Sequence, residues 1–106
     1  MSSATLINCF EVPAEQDDRF LALWHKADDL LRSRGGYRTT RLHKALGPQV
    51  RFRYVNIAEL DSVDTWRAVI ASPEFRAITA QMANFHPAPG LYGVAVTRTD
   101  GDADSA

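Results

Sequence analysis

Cysteine is almost missing from this chain. Cys9 is the one thiol in 106 residues, so no internal disulfide can form, which excludes a disulfide-stapled secreted miniprotein. A basic surplus is missing too. Lys and Arg number 12 against 13 Asp and Glu, a net charge of -1, and a nucleic-acid partner is not expected without a basic face. No apolar run approaches the roughly 20 residues that cross a bilayer. Met1 to Thr5 carry neither a basic cluster nor an apolar segment, so no signal peptide is expected and the chain reads as cytoplasmic. The signature motifs of nucleotide, P-loop, zinc-protease and serine-hydrolase chemistry do not occur. His25, His43 and His86 lack metal-ligand spacing, so no metal site is expected.

What is present is ordinary for a globular domain: 45% hydrophobic and 24% charged residues, enough apolar mass for one core. We expect a single domain over residues 1–99. The stretch 100–106 is small and acidic, with nothing to bury, and reads as a disordered tail.

Hydrophobic periodicity supplies the order of elements. Thr5 to Val12 reads as a strand closed by Pro13. Asp17 and Asp18 open a helix whose stripe holds Phe20, Leu23, Trp24, Ala27, Leu30 and Leu31. Arg32 and Arg34 lie in its last turn and Gly35-Gly36 stops it. Tyr37 to Leu46 and Val50 to Ala58 read as a hairpin around Gly47-Pro48. Asp61 or Ser62 caps a helix with Trp66, Val69 and Ile70; Ser72-Pro73 starts another with Phe75, Ile78 and Met82. His86 to Gly90 reads as a loop, and Leu91 to Thr99 as the last strand. Strand, helix, two strands, helix pair, strand is the split βαβ order of a ferredoxin-like α+β fold. It predicts a four-stranded antiparallel sheet with helices on one face. The other face would expose Ile7, Cys9, Val55, Ile57, Val94 and Val96, so a second copy is expected to cover it as a homodimer.

Two residues stand out for their setting. Asn8 interrupts Leu-Ile-Asn-Cys-Phe, and Asn56 interrupts Tyr-Val-Asn-Ile-Ala. Asparagine is disfavoured in strands, and a buried amide without partners costs about 1–3 kcal/mol. Asn8 shares a face with Phe10; Asn56 shares one with Phe52 and Tyr54. If both face the helices, two amides and the Tyr54 hydroxyl meet in one cavity. The plainer reading is that the amides serve each other or nearby backbone. Trp24 and Trp66 sit on apolar helix stripes, as core residues or as an aromatic wall for a flat ligand. Phe75 and Met82 belong with them as lining. His43 is a candidate general base; His86 is a candidate lid beside the pocket. Cys9 in its apolar strand reads as an inert thiol.

The ordered set Asn8-Cys9-Phe10-Glu11-Val12-Pro13, Phe20 to Trp24, Gly36 to His43, Arg51 to Glu59, Ser72-Pro73-Glu74-Phe75 and Pro89-Gly90-Leu91-Tyr92 resembles the antibiotic biosynthesis monooxygenase (ABM) family. The resemblance covers residues 4 to 98. It implies a ferredoxin-like subunit paired into a dimeric α+β barrel, with a pocket between sheet and helices. It further implies oxidation of an aromatic polyketide-type phenol or anthrone by O2 without flavin, heme or metal. In such oxygenases two strand asparagines and a tryptophan carry function; Asn8 and Asn56 match the asparagines. Leu60, in Ala58-Glu59-Leu60-Asp61-Ser62, stands where that tryptophan would fall. In the heme-degrading branch the axial histidine would align near Thr79, which does not suit iron. The expectation is therefore a cofactor-free monooxygenase. The alternatives are a non-oxidative polyketide cyclase or isomerase, or a non-catalytic small-molecule-binding protein.

Overall fold

The computed structural model describes residues 4–35 and 37–101. Its elements are β1 (Ala4–Phe10), α1 (Asp17–Arg34), β2 (Tyr37–Lys44), β3 (Tyr54–Leu60), α2 (Val63–Ile70), α3 (Pro73–Ala80) and β4 (Ala88–Tyr92). The strands form one antiparallel sheet in the order β2-β3-β1-β4. This is the α+β ferredoxin-like arrangement: β1 and β2 flank β3, and the helices lie against one sheet face. The described chain is only 17 Å across its shortest dimension, the thickness of two layers.

Local chemistry explains the boundaries. Asp17 and Asp18 lie in the first turn of α1 and Arg32 and Arg34 in its last, matching the helix dipole at both ends. Gly35 has φ 73° and closes α1 with a bond from its N–H to the Arg32 carbonyl at 3.1 Å, a conformation that favours glycine. Ser62, not Asp61, caps α2 by accepting the Thr65 N–H at 3.1 Å. Ser72 caps α3 by accepting the Phe75 N–H at 3.3 Å, with Pro73 opening the helix.

Strand alternation sorts the side chains. Leu6, Asn8 and Phe10 of β1 share the helix-covered face with Tyr54, Asn56, Ala58 and Leu60 of β3, because direct register partners point the same way. The core has an aromatic centre. Phe20 is fully buried, stacked on Tyr54 with centroids 4.5 Å apart and edge-on to Phe10 and Phe85 at 4.8 and 5.4 Å. A second cluster gathers Leu6, Ala58 and Leu60, with Trp66 and Leu91 packed against it.

β1 and β2 end two residues earlier than expected, and the other two strands differ more. Residues 50–53 precede β3 rather than belong to it, and Phe52 lies under the Arg51 guanidinium at 4.9 Å. The segment expected as a loop, from Ala88, is the start of β4, which ends at Tyr92 instead of running to Thr99. β4 pairs on one side only, and an edge strand tolerates the missing N–H of Pro89. Beyond it, Val94 and Val96 are largely exposed, at 79% and 76%. The expected tail falls mostly on residues 102–106, outside the described residues.

Candidate functional site

A cavity of about 290 Å³ opens between the sheet and the helices. Its floor is built by the covered sheet face: Asn8 and Phe10 from β1, Thr40 from β2, Asn56 from β3 and Pro89 from β4. α1 contributes Trp24, Ala27, Asp28 and Leu31, a stripe at helical spacing. Trp66, Phe75, Thr79 and Met82 close the far wall. The walls are mainly apolar and aromatic, with few polar groups, which is the usual make-up of a small-molecule pocket.

The two asparagines are direct register partners across β1 and β3, so their amides sit side by side on the cavity floor. Asn8 Oδ1 accepts the Ala88 N–H at 3.0 Å. A backbone N–H can only donate, so this contact fixes which atom of the Asn8 amide is the oxygen. Asn56 Oδ1 accepts the Thr40 hydroxyl at 2.7 Å. Each amide oxygen is thereby occupied, and among the described residues neither Nδ2 group has a partner. Two N–H donors face a largely apolar space.

The other expected residues divide. Phe10, Trp24, Trp66, Phe75 and Met82 line the cavity. Tyr54 does not: it belongs to the Phe20 cluster, 2% exposed, and its hydroxyl turns away from the amides toward Asp17. Burial, with the Asp17 carboxylate beside it, pushes the Tyr54 phenol above its usual range. Among the described residues that hydroxyl has no hydrogen bond within 3.5 Å. Phe52 lies outside the cavity for the reason given above. His43 pairs with Val55, which places it on the uncovered sheet face and in solvent. His86 is exposed, in a left-handed conformation with φ 49°, and its Nδ1 lies 3.9 Å from Glu11 Oε2; its neighbour Pro87 lines the cavity instead. Leu60 is 1% exposed inside the second core cluster and does not reach the cavity. Thr79 lines the wall, its hydroxyl bonded to the Arg76 carbonyl at 3.3 Å.

Among the lining residues that were not foreseen, Thr40 and Asp28 bear most on the chemistry. Thr40 is legible only once β2 and β3 are in register. Asp28 follows Trp24 by one helical turn, the spacing that signals a shared face. Among the described residues it is the one ionisable side chain in the lining.

At the sheet end nearest the start of α1, Arg53 grips Asp17 with two bonds of 2.8 Å, and Lys44 adds a third contact at 3.3 Å. The Arg53 guanidinium holds the Asp17 carboxyl far below the usual carboxylate range. This cluster ties α1 to the ends of β2 and β3 and lies outside the cavity lining. Among the described residues no three His, Cys, Asp or Glu side chains gather as metal donors, and no helix is long and apolar enough to cross a membrane.

No protein-family model matches the chain, and no curated protein does. Solved structures do match. A candidate monooxygenase from Shewanella loihica PV-4 is similar with a TM-score of 0.76 at 26% identity, over 91% of this chain and 97% of that one. SnoaB, a cofactor-independent oxygenase from Streptomyces nogalater, is similar with a TM-score of 0.76 at 20% identity, over 92% and 97%. A dimeric ferredoxin-like protein of unknown function from Jannaschia sp. CCS1 follows at 0.71 and 14%, over 88% and 100%.

Proposed function

We propose that the chain is a cofactor-independent monooxygenase acting on a planar aromatic phenol or anthrone of polyketide type. The observation that carries this reading is the pair of amides. With both oxygens engaged by Ala88 and Thr40, the Asn8 and Asn56 N–H groups are preset donors for an oxygen that becomes negative. Fixed donors in a site poor in water stabilise such an oxyanion strongly. The likeness to the candidate monooxygenase and to the cofactor-independent oxygenase supports the same reading.

The chemistry follows from the substrate. Loss of a proton from the ring methylene of an anthrone leaves an enolate on the amides, with Trp24 and Trp66 holding the rings. The enolate gives one electron to O2, and the substrate radical and superoxide join as a C–O bond. Protonation gives a hydroperoxide, and loss of water leaves the quinone carbonyl. The substrate is its own reductant, so the protein supplies position and charge stabilisation.

A homodimer is part of the proposal. Ile7, Cys9, Val55 and Ile57 lie on the sheet face without helices, and Val94 and Val96 stand exposed beyond β4. A second copy, face to face, buries both sets.

Leu60 favours a second reading. The oxygenases that the sequence resembles carry a tryptophan there, and here the position is buried away from the cavity. Enolate stabilisation without O2 would serve a cyclisation or isomerisation. Oxygen-electrode traces with 1,8-dihydroxyanthrone decide. Catalysed uptake of one O2 per quinone formed supports the oxygenase; catalysed turnover that persists under argon favours the second reading; absence of both overturns the two.

A further inference from the structure

The reaction above needs a proton acceptor, and neither His43, the expected base, nor His86, the expected lid, lines the cavity. We propose that Asp28 is that acceptor: its carboxylate, oriented by the Tyr37 hydroxyl, takes the proton whose loss puts negative charge on the oxygen held by Asn8 and Asn56. The inference rests on the enolate step of the proposed function, and not on O2.

Three observations converge on Asp28. Among the described residues it is the one ionisable side chain in the cavity lining, so a proton leaving a ligand inside has one nearby carboxylate to go to. It is held in place: Asp28 Oδ1 accepts the Tyr37 hydroxyl at 2.6 Å, and among the described residues Oδ2 has no hydrogen-bond partner. Burial and the Asp28 carboxylate push the Tyr37 phenol well above its usual range, so Tyr37 stays a donor. Finally, the backbone is shaped for this contact. β2 is irregular between Tyr37 and Thr39: Tyr37 pairs with Leu60, yet Thr39 pairs with the adjacent Glu59. The extra residue, Arg38, shifts the alternation, so Tyr37 joins Leu60 on the helix side rather than following Thr39 to the other face. Arg38 itself turns out to Asp61 at 2.9 Å.

In the step, the substrate C–H bond breaks and its proton forms an O–H bond on Asp28 Oδ2. The electron pair of that bond moves into the ring system and onto the carbonyl oxygen facing the amides. Asp28 then returns the proton to the peroxide or to solvent. Tyr37 is a positioning residue: it orients the carboxylate and touches no reacting atom.

The test follows the proton rather than the product. The full chain is mixed with 1,8-dihydroxyanthrone in D2O without oxygen, and deuterium entry at the methylene is followed by NMR against the buffer rate. Binding is read separately from Trp24 and Trp66 fluorescence. D28N keeps an oxygen for Tyr37 but cannot take a proton, so exchange should fall about 10²–10⁴-fold with affinity little changed. D28A should lose exchange similarly and regain part of it with added formate. Y37F should slow exchange less and gain nothing from formate. Exchange by D28N at the wild-type rate overturns the proposal. So does a wild-type protein that does not accelerate exchange, or a D28A whose exchange formate leaves unchanged. A wild type that exchanges but consumes no O2 upholds Asp28 and overturns only the oxygenase reading.

Discussion

Asn8 and Asn56 face each other across β1 and β3, and each has its amide oxygen committed, one to the Ala88 N–H and the other to the Thr40 hydroxyl. The consequence is directional. An asparagine that could rotate would offer an oxyanion its oxygen as readily as its nitrogen. With those oxygens engaged, the two side chains turn their N–H groups to the cavity, and little reorganisation is needed when charge develops.

Removing either amide should lower turnover by about 10²–10³-fold, the loss expected for one oxyanion donor. Asn56→Ala should keep the secondary structure and the assembly, and Asn8→Ala should keep both apart from local fraying at the Ala88 end of β4. Asn→Asp is more telling. It preserves the acceptor for Ala88 or Thr40 but replaces the donor with a negative charge, so activity should fall further than in the alanine variants. Steady-state rates and circular dichroism on the same samples check both. Variants that melt early yet turn over normally would leave the amides a purely structural role.

The dimer has its own test. Ile57→Glu puts a charge in the middle of the uncovered sheet face, away from the cavity. Interfaces of obligate dimers bury on the order of 2,000 Å² or more. Sedimentation should give a dimer for the wild type at micromolar concentration and a monomer, or an aggregate, for the variant. A wild-type monomer at that concentration would remove the barrel from the proposal.

Asp17 sets the acid response. Its folded carboxyl titrates far below the ordinary value of 3.8, chiefly because of Arg53. A group depressed in the folded state stabilises above its unfolded value and loses that contribution as pH falls toward the folded value. Asp17→Asn should therefore melt earlier than wild type at neutral pH. The difference should stay level down to about pH 4 and shrink below it. Melting curves from pH 7 to pH 2 measure this, and a gap that widens in acid would contradict the ion-pair account.

Phe20 joins three aromatic neighbours with no exposed surface. Truncation to alanine leaves a hole among rigid rings that cannot close, so Phe20→Ala should cost about 3–5 kcal/mol. Urea unfolding measures it. Phe20→Leu should lose less, since most of the volume remains.

Periodicity made much of this fold legible. The α1 stripe, both serine caps and the apolar runs of β1 and β3 carry their signals within a few residues. β4 was hidden because Pro87 and Pro89 normally argue against a strand, and only its position at the sheet edge makes them acceptable. The amide pair was legible because a polar residue within an apolar strand is costly unless something uses it. Tyr54 shares the amide face in sequence, but its long ring reaches past the cavity into the Phe20 cluster. His43 fell on the uncovered face because register is set by pairing, which the β2 sequence alone does not fix. Asp28 looked like any acid on a helix until Trp24, one turn earlier, was seen to face the cavity.

The bond from the Ala88 N–H to Asn8 joins an edge strand to a side chain on the cavity floor. Ala88 spends its donor on that side chain, so this end of β4 is fastened through the very amide that a ligand would engage. The Ala88 amide proton is therefore a built-in reporter. A ligand that holds the Asn8 amide still should slow hydrogen exchange at Ala88, although it need not touch the strand. Loss of the Asn8 side chain should free that end of β4 to fray. Occupancy of the interior becomes readable from the rim, one backbone proton at a time.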